Sequence, residues 1–577
     1  MPAPSWGKSI RAGTSGEGKM TGRGKSVVVL GGGVAGLSAT HELAERGFQV
    51  RVFERKALFG GKARSMEVPN TGTGTRKNLP GEHGFRFFPN FYKHVTDTMK
   101  RIPYPGNAAG VFDNIVPGTR AQIARNGKMS IIAVARYPVT LDDWVTTLMA
   151  VVNGKELGIP DAEVLFYVDR LLTLLTSCEE RRVVEYEKIP WWDFIDAANK
   201  SAAYQQFLAR GMTRSMVAIR AEEGSTRTVG YIGLQLTLGL LKIGDPVDRL
   251  LNGPTNEVWI DPWIEYLQSL GVKFHNNSRL ISFQMNGSGI SSVTVEMDGG
   301  RHDVSGDYYV SALPAEAIAP LLTDEMKRAA PSIANIDRLR TNWMNGLQFY
   351  LEHDVPVVNG HTIYIDSPWA LTSVSQRQFW RTDQLQNYGD GRLGGILSVD
   401  ISDWNAPGIL YGKPAMQCTA EQIRHEVWEQ IKRHLNLDGA QQLEDGNLLS
   451  WFLDPDIEFP NPSEVTNLEP LLINTAGSLA YRPDAHTEIP NLFLASDYVR
   501  TNSDLACMEG ANEAARRATN AILDREKSSA IRAALWPLEE PEFFAPIREY
   551  DRLRFKLGLA HASLPLELPT RLAARAR

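Results

Sequence analysis

The spacing Gly31-x-Gly33-x-x-Gly36 could bind the pyrophosphate of a dinucleotide. The β-branched run SVVVL (26–30) precedes it, and VAGLSATHELAERG (34–47) follows with apolar residues at helical spacing. In such a strand–turn–helix the first glycine permits the tight turn, the second lets the backbone approach the phosphates, and the third lets the helix pack on the strand. The glycines therefore predict a phosphate-binding turn; the alternative is a loop that caps a helix without a ligand.

Two features next to this turn indicate the kind of dinucleotide. The N–H groups of Val34 and Ala35, at the start of the helix, would face the phosphates with a partial positive charge. Glu54 ends the alternating strand FQVRVFE (48–54), 18 residues after Gly36. A carboxylate at this position accepts hydrogen bonds from ribose hydroxyls and disfavours a 2′-phosphate, so NADP is not expected.

Two further segments favour FAD as the cofactor over NAD. FGGKARS (59–65) follows the second strand, where Gly61 permits close backbone approach and Lys62 can meet phosphate. Much later, the run NLFLASD ends a strand in Asp497, and a new helix starts near Met508. A second helix N-terminus could contact another part of a long cofactor. Because FAD is long enough to need contacts far apart in sequence, the sequence predicts FAD.

The stretch GEHGFRFFPNFY (81–92) places two polar side chains among five aromatic ones. His83 and Arg86 lie among Phe85, Phe87, Phe88, Phe91 and Tyr92, with a glycine on each side of His83. The stretch is either a core strand with two polar side chains or the wall of a chemical site. Its place just after FGGKARS favours the second interpretation.

Other catalytic patterns are not found in the sequence. The eleven histidines are scattered singly, and there is no Ser/His/Asp order, no metal-ligand spacing and no pair of carboxylates that demands acid–base chemistry. Most of the histidines are expected on the surface or in satisfied core positions, and His83 is the exception. No metal is predicted, and the chemistry is expected to come from the cofactor.

The elements that position these residues form a discontinuous cofactor domain. Strand–helix alternation at the start predicts a covered parallel sheet, the stretch after residue 106 reads as mostly helical, and alternating segments between 345 and 405 predict a second sheet. No internal repeat occurs. The predicted organisation is a disordered leader (1–24), the FAD-binding domain in three parts (25–105, 251–340 and 469–525), a substrate domain with a mostly helical part (106–250) and a sheet (341–468), and a helical tail (526–577).

Composition excludes several classes of protein. A chain of 577 residues is too long for one compact core, and a net charge of −6 with a pI near 6.1 gives no electrostatic footprint for nucleic acid. Three widely spaced cysteines form no disulfide framework. No apolar run approaches the roughly 20 residues that span a bilayer, and the N-terminus lacks the apolar stretch of a secretory signal. A cytoplasmic protein is expected, and a peripheral contact with a membrane stays open.

These motifs together resemble the flavin amine oxidase superfamily. The GxGxxG…E…GGK start, the E-x-G-x-x-x-F pattern at 82–88 and the LFLASDY…MEGA end are most similar to its phytoene and ζ-carotene desaturase branch, which itself resembles hydroxysqualene dehydroxylases and carotenoid isomerases. The likeness covers roughly residues 25–525. It implies an α/β fold with a GR2-type, Rossmann-like FAD-binding domain and an inserted α+β substrate domain.

The resemblance also assigns expected contacts to individual residues. Arg86 departs from the branch, whose desaturases carry His there; a fixed cation near the flavin would stabilise negative charge on it or meet a polar substrate group. Arg86, His83 and Tyr481 are the weak catalytic candidates. The residues expected to bind FAD are Gly31, Gly33, Val34, Ala35 and Gly36 at the phosphates, Glu54 and Arg55 at the ribose, Gly61 and Lys62 in the glycine doublet, Arg86, Phe87 and Tyr92 along the flavin, and Asp497 and Met508 at its ribityl-pyrophosphate and ring ends.

The implied chemistry is hydride removal from carbon to form a C=C bond, or flavin-assisted isomerisation or dehydroxylation. The expected substrate is lipophilic, a polyene or an isoprenoid, and the expected electron acceptor is quinone or oxygen. The apolar stretch VGYIGLQLTLGLL (229–241) is either a buried core helix or a wall for such a substrate or a membrane. Cations at Lys242, Arg249 and the terminal RLAARAR (571–577) could support membrane contact, and the amphipathic stretch 548–559 could instead pack on the protein or on a partner.

Two other functions remain open from the sequence. An amine oxidase of the same fold would need an aromatic sandwich before the flavin, for which Tyr481 could supply one half. A non-catalytic flavin-binding assembly protein would use the tail as its interaction arm.

Overall fold

A computed structural model of the chain describes residues 24–118, 120–133, 157–241, 248–380, 385–437, 441–461 and 464–562. Several sequence-based expectations lie outside these residues: nearly all of the leader at 1–24, a helix expected at 139–154, Lys242, and the terminal stretch 571–577.

The strands of the described residues build seven sheets. They are β1 Ser26–Leu30, β2 Gln49–Phe53, β3 Ser65–Val68, β4 Leu79–Glu82, β5 Ile115–Pro117, β6 Arg120–Arg125, β7 Lys128–Ala133, β8 Arg249–Leu251, β9 Lys273–His275, β10 Arg279–Asn286, β11 Gly289–Met297, β12 Gly300–Val304, β13 Tyr308–Ser311, β14 Arg340–Asn342, β15 Asn345–Leu351, β16 Gly360–Tyr364, β17 Thr372–Ser375, β18 Gly395–Ile401, β19 Leu448–Leu453, β20 Ile457–Asn461, β21 Glu464–Asn467, β22 Leu471–Ile473 and β23 Leu492–Leu494.

The α-helices pack around these sheets. They are α1 Val34–Ala44, α2 His94–Arg101, α3 Asp161–Thr176, α4 Glu179–Val184, α5 Trp191–Phe194, α6 Ala202–Tyr204, α7 Met212–Val217, α8 Tyr231–Leu241, α9 Asp261–Ser269, α10 Ala315–Ile318, α11 Asp324–Ala329, α12 Ala420–Leu435, α13 Met508–Arg525 and α14 Ala545–Lys556.

A parallel five-stranded sheet carries the glycine turn. Its strand order is β23-β13-β1-β2-β9, so β1 is central, and Val28 pairs with Arg51 on one side and with Tyr309 on the other. The run of three valines in β1 is fully buried because helices cover both faces of such a sheet. The strands come from stretches of chain as far apart as residues 26 and 494, joined by parallel pairing. This sheet confirms the predicted α/β Rossmann-like fold class.

A seven-stranded sheet forms the second large unit. Its order is β19-β15-β18-β17-β16-β6-β7, and its pairs are antiparallel except for β16 with β6. Three of its buried side chains, Leu347, Phe349 and Val399, pack with α12 through Trp428 and Ile431 in one apolar core. The sheet forms the strand part of the α+β region that the resemblance implies.

The stretch 106–250, predicted to be mostly helical, begins with strands. Strands β5, β6 and β7 precede its helices, and β6 and β7 extend the seven-stranded sheet. The Asn126-Gly127 dipeptide between two alternating runs is a hairpin signal that the helical interpretation overlooked. At the other end of the stretch, β8 pairs with β5. Within this stretch the helices therefore lie between residues 157 and 241, and the hairpin β6–β7 is a strand pair that the sequence interpretation did not include.

The apolar helix α8 packs inside the helical region. Ile232 and Leu234 are each 1% exposed, and Leu234 shares a core with Leu171 of α3 and Trp191 of α5. No helix in the described ranges is long and apolar enough to cross a bilayer.

The C-terminal segment binds to both halves of the protein. Trp536 donates its backbone N–H to His94 of α2 at 2.9 Å. Farther along, Asp551 of α14 accepts hydrogen bonds from Arg181 at 3.0 Å and from the N–H of Cys178 at 2.9 Å. The segment therefore connects the parallel-sheet region with the helical region.

Candidate functional site

The glycine turn at the end of β1 has the geometry that a phosphate site requires. Gly31 has φ +105°, a conformation that favours glycine, and its N–H donates to the carbonyl of Phe53 at 2.8 Å. A Cβ on Gly36 would overlap the carbonyl oxygen of Gly31. Helix α1 begins directly after Gly33, without a side-chain cap and without an acid in its first turn. The N–H groups of Val34 and Ala35 therefore start a helix whose end favours an anion.

The glycine doublet lies against this turn, as the sequence predicts. Gly60 donates its N–H to the carbonyl of Gly32 at 2.9 Å, and a Cβ on Gly61 would lie 2.9 Å from the Cα of Gly33. The backbones of the glycine turn and of the glycine doublet are therefore in direct contact. A long ligand could approach the main chain of both segments closely, because glycines have no side chains.

Glu54 is buried at the end of β2 and accepts two backbone hydrogen bonds. Its carboxylate receives the N–H of Gly32 at 2.7 Å and that of Lys56 at 2.9 Å. Arg55 pairs with Glu469 at 3.0 Å and is half exposed, while Lys62 pairs with Glu316 at 3.1 Å. Glu54 therefore braces the turn, and its contact with a ribose stays a prediction, as do the cofactor contacts of Arg55 and Lys62.

Arg86 joins the stretch 81–92 to the glycine-doublet segment. Its guanidinium donates to the carbonyls of Ala63 and Phe85 at 3.1 Å each, and also to that of Lys62. Burial lowers the pKa of Arg86, and the negative groups of Glu82 and Asp400 oppose this change. The structure thus places Arg86 as a cation at the predicted cofactor segment.

Two buried carboxyls face Arg86. Burial raises the pKa of Glu82, and Arg86 opposes the change; burial likewise raises the pKa of Asp400 to about 7 against Arg86. Asp400 lies on β18, an interior strand of the seven-stranded sheet, and a Cβ on Gly84 would be 2.7 Å from its Oδ1. Sequence reasoning missed Asp400, although a single acid in the buried strand GGILSVDIS was an available signal.

His83 lies in a buried charge network. Its Nδ1 is 2.6 Å from Oδ2 of Asp454, which is 1% exposed. Beyond them, Glu469 and Asp456 both pair with Arg64, the first at 2.7 Å. Burial acts to raise the pKa of Glu469, but Arg64 and His83 hold that pKa well below its usual range. His83 is therefore paired with a carboxylate from a distant segment, whereas Arg86 donates to the carbonyls of Lys62, Ala63 and Phe85.

This network also brings three possible metal ligands together, namely His83, Asp456 and Glu469. Lys56 and Arg64 already pair with both carboxylates. Because these two cations already neutralise the carboxylates that would bind a metal ion, the group fits an ion-pair network better than a metal site.

The aromatic side chains of the stretch pack on the seven-stranded sheet. The rings of Phe85 and Phe87 lie 5.0 and 5.1 Å from the ring of His361 on β16. The Nε2 atom of His361 has no hydrogen-bond partner, and burial lowers its pKa to about 4, so the ring is neutral. His361 was also missed, because nothing local distinguishes it from the other histidines.

The start of α13 meets the end of the same stretch. Glu509, next to Met508, accepts the N–H groups of Lys93, His94 and Val95 at 2.7 to 3.0 Å, directly after Tyr92. Burial raises the pKa of Tyr92 well above its usual value, as does the nearby Cys507 thiol. The segments that contain Met508 and Tyr92 therefore lie next to each other. That both residues contact one ligand stays a prediction.

The other candidates lie in different surroundings. Asp497, half-buried after β23, accepts the hydroxyl of Ser496 at 3.2 Å. The ring of Tyr481 lies 4.2 Å from the Arg338 guanidinium and has no aromatic partner among the described residues. A tyrosine covered by an arginine does not form half of an aromatic sandwich.

The residues present fit an FAD molecule. The adjoining glycine segments, the first turn of α1, which has no side-chain cap, and the buried Glu54 suit an adenine dinucleotide. Arg86 and the aromatic residues of the stretch 81–92 suit a flavin ring farther along the cofactor. Which of these side chains touch FAD stays a prediction.

Two protein-family models match the chain. Residues 29–102 match the NAD(P)-binding Rossmann-like domain, and residues 197–523, more than half of the chain, match the flavin containing amine oxidoreductase family. The tail after residue 523 lies outside both.

Carotenoid enzymes are among the similar proteins. The chain is 24% identical to a 15-cis-phytoene desaturase of Glycine max over 88% of this chain and 81% of that protein. It is 22% identical to a probable zeta-carotene desaturase of Synechococcus elongatus over 87% and 100%. It is also 22% identical to a carotenoid phi-ring synthase of Streptomyces griseus over 89% and 90%.

Solved structures share the fold at low sequence identity. A putrescine oxidase matches with a TM-score of 0.58 at 13% identity over 87% of this chain and 99% of its own. A putative protoporphyrinogen oxidase from Exiguobacterium sp. 255-15 matches with a TM-score of 0.55 at 16% identity over 87% and 99%. Taken with the family match and the glycine turn, these likenesses lead to one conclusion: the chain belongs to the flavin containing amine oxidoreductase family and is an FAD-dependent oxidoreductase.

Proposed function

We propose that this oxidoreductase acts on a lipophilic polyene or isoprenoid substrate, either by removing a hydride to form a C=C bond or by flavin-assisted isomerisation or dehydroxylation. One structural observation carries the proposal: the aromatic wall of Phe85, Phe87 and the neutral His361 beside Arg86. Apolar and aromatic walls bind extended hydrocarbons by burying their surface. The names of the similar desaturases support the same substrate class.

The residues of the chain would divide the work between binding and electrostatics. FAD, when bound, would supply the hydride acceptor for desaturation, and reduced FAD would supply the two electrons for a dehydroxylation. The turn from Gly31 to Gly36 would hold its pyrophosphate, and Glu54 its adenosine ribose. Arg86 would provide a fixed positive charge beside the flavin ring in a site from which the phenylalanines exclude water, where such a charge acts most strongly. We further propose quinone or oxygen as the electron acceptor and a peripheral contact with the membrane that contains the substrate.

Amine oxidation is a weaker candidate. It rests on a family name and on a fold shared with a putrescine oxidase. The expected aromatic sandwich is not supported, because Tyr481 lies under Arg338. A non-catalytic assembly role has no supporting contact in the described residues.

The experiment is anaerobic mixing of the FAD-loaded protein with a panel of carotenes, squalene derivatives and polyenoic acids. An oxidative reaction should bleach the visible flavin band, and an isomerisation should change the polyene spectrum without bleaching. Amines serve as the comparison, with peroxide release in air as their readout. No response to any lipid, with dithionite still reducing the flavin, would refute the proposal.

A further inference from the structure

A cleft of about 930 Å³ lies between the helical region, the parallel-sheet region and the C-terminal segment. Its lining includes Asn90 and Phe91, residues 501–503, helix α8 and the segment 537–552. A volume of this size is in the range of small-molecule sites. The tail wall lies beyond residue 523, outside the matched family models, so this part of the cleft is not described by the family pattern.

The cleft adjoins both segments that are expected to contact the flavin. Asn90 and Phe91 directly precede Tyr92, and residues 501–503 lie between Asp497 and Met508. The carboxylate of Glu509 joins these two segments through the backbone of residues 93–95. A ligand in the cleft would therefore lie beside the predicted flavin site.

The charges of the cleft cancel. Five cations and five carboxylates line it, and each cation pairs with a carboxylate of the same lining. The remaining acid, Glu542, is exposed at the rim. The pairs are Lys93–Glu539 at 2.7 Å, Arg227–Glu179 at 2.9 Å, Arg548–Glu540 at 2.8 Å, Arg182–Glu540 and Arg552–Glu549. An ionic ligand would have to break such a pair or leave its own charge uncompensated, so a neutral ligand is favoured.

The apolar part of the wall comes mainly from α8. Ile232 and Leu238 of this helix line the cleft together with Phe91 and Leu538. The sequence left open whether this stretch is a core helix or a substrate wall. Both positions are compatible, because Leu234 lies in the helical core while Ile232 and Leu238 also border the cleft.

Two polar atoms at the cleft have no hydrogen-bond partner within the part of the chain that the structure describes. They are Nδ2 of Asn90 and Oγ of Ser503, and Ser503 is 3% exposed. Buried polar atoms without partners are costly and uncommon. Both belong to lining residues, and rotation about a side-chain torsion would present them to an oxygen atom in the cleft. An amide N–H and a hydroxyl together suit a hydroxyl or carbonyl oxygen.

We infer that the tail-walled cleft binds a neutral lipophilic molecule with a hydroxyl or carbonyl oxygen, and that Asn90 and Ser503 bind this oxygen. The inference rests on the proposed function and narrows its substrate class, from lipophilic polyenes or isoprenoids in general to those that carry a hydroxyl or carbonyl oxygen. The C-terminal segment is then part of the recognition surface.

The test is equilibrium binding to the FAD-loaded protein of three probes with the same polyene skeleton, namely retinol, the hydrocarbon anhydroretinol and the cationic retinylamine. Quenching of tryptophan fluorescence gives each affinity. Retinol should bind about tenfold more tightly than anhydroretinol, as one added hydrogen bond predicts, and also more tightly than retinylamine. Leu538→Glu, which places a charge in the wall, should weaken retinol and anhydroretinol alike.

The double variant Asn90→Leu, Ser503→Ala should bring retinol and anhydroretinol to nearly equal affinity. Ser402→Ala is the matched control, because Ser402 is buried, has an unpartnered hydroxyl and does not line the cleft. Equal affinities in the wild type, tighter retinylamine binding or indifference to Leu538→Glu would each overturn the inference. Binding is read without turnover, so a protein that binds retinol here but reacts with no polyene would refute the proposed function alone.

Discussion

The two ends of the predicted FAD site are built in different ways. At the phosphate end, Gly31, Gly36 and Glu54 are held by main-chain hydrogen bonds within a segment of 24 residues. At the flavin end, Arg86 donates to nearby carbonyls, but its charge interacts with that of Asp400, and His83 pairs with Asp454; both acids are more than 300 residues away. The phosphate end follows from local backbone geometry, whereas the flavin end is an electrostatic assembly that exists only after the two large sheets have met.

Gly36→Ala should have the largest effect, because it disrupts the backbone packing of the phosphate end. The added Cβ would overlap the carbonyl of Gly31, so α1 cannot pack on β1. We expect loss of bound FAD and a stability loss of more than about 3 kcal/mol, measured as flavin content and thermal midpoint. Gly446→Ala is the control, since a Cβ there meets no atom within 4 Å. A Gly36→Ala protein with normal flavin content would show that the turn tolerates a side chain.

Arg86→Ala tests the assembled end. FAD should stay bound, while the rate of flavin reduction by substrate falls by about ten- to a hundredfold or substrate preference changes, because a fixed charge is lost. Glu82 and Asp400 would also lose a neighbouring positive charge, so the pKa of each carboxyl should rise further.

Arg86→Lys controls for charge in the same position and should recover part of the rate. Unchanged reduction rates and substrate preference in Arg86→Ala, measured by stopped flow, would make Arg86 structural. The phosphate end and the flavin end would then differ in how they are packed but not in an electrostatic role of Arg86.

Asp400→Asn tests whether the buried carboxyl of Asp400, at the flavin end, destabilises the folded protein when it is ionised. In the folded protein the pKa of Asp400 is about 7, above the ordinary aspartate value of 3.8. The folded state therefore retains a proton that the unfolded state releases. This difference does not change the free energy of unfolding below about pH 4, and it lowers that free energy progressively up to about pH 7.

Removal of this charge should therefore stabilise the variant relative to wild type more at pH 8 than at pH 4.5, by on the order of 1–3 kcal/mol. The difference between the thermal midpoints of the two proteins, followed across this range, measures it. A difference that does not change with pH would mean that Asp400 is ionised throughout.

Glu54→Gln should have the smallest effect. A glutamine can still accept the N–H of Gly32 through its amide oxygen but loses the charge, so FAD affinity should fall about three- to tenfold without loss of folding. Titration of the apoprotein with FAD measures the change, with Glu67→Gln on the exposed side of β3 as the control. An unchanged affinity would restrict Glu54 to bracing the turn.

Much of the phosphate end could be predicted from the sequence. The turn, the following acid and the glycine doublet are short motifs whose function follows from backbone geometry and strand or helix periodicity. The same reasoning placed β23 and α13 near their observed positions, because apolar runs and a helix start are local signals. It failed for β6 and β7, because the turn signal of Asn126-Gly127 between two alternating runs was overlooked.

The sequence by itself determined the fold class and the cofactor, because each rests on motifs of a few adjacent residues. Only the tertiary structure decided that Asp400 faces Arg86, that His361 packs on Phe85, that Arg338 covers Tyr481 and that the tail forms a wall of the cleft. These contacts join residues far apart in the chain, and their partners are fixed by how sheets and helices pack rather than by any local pattern.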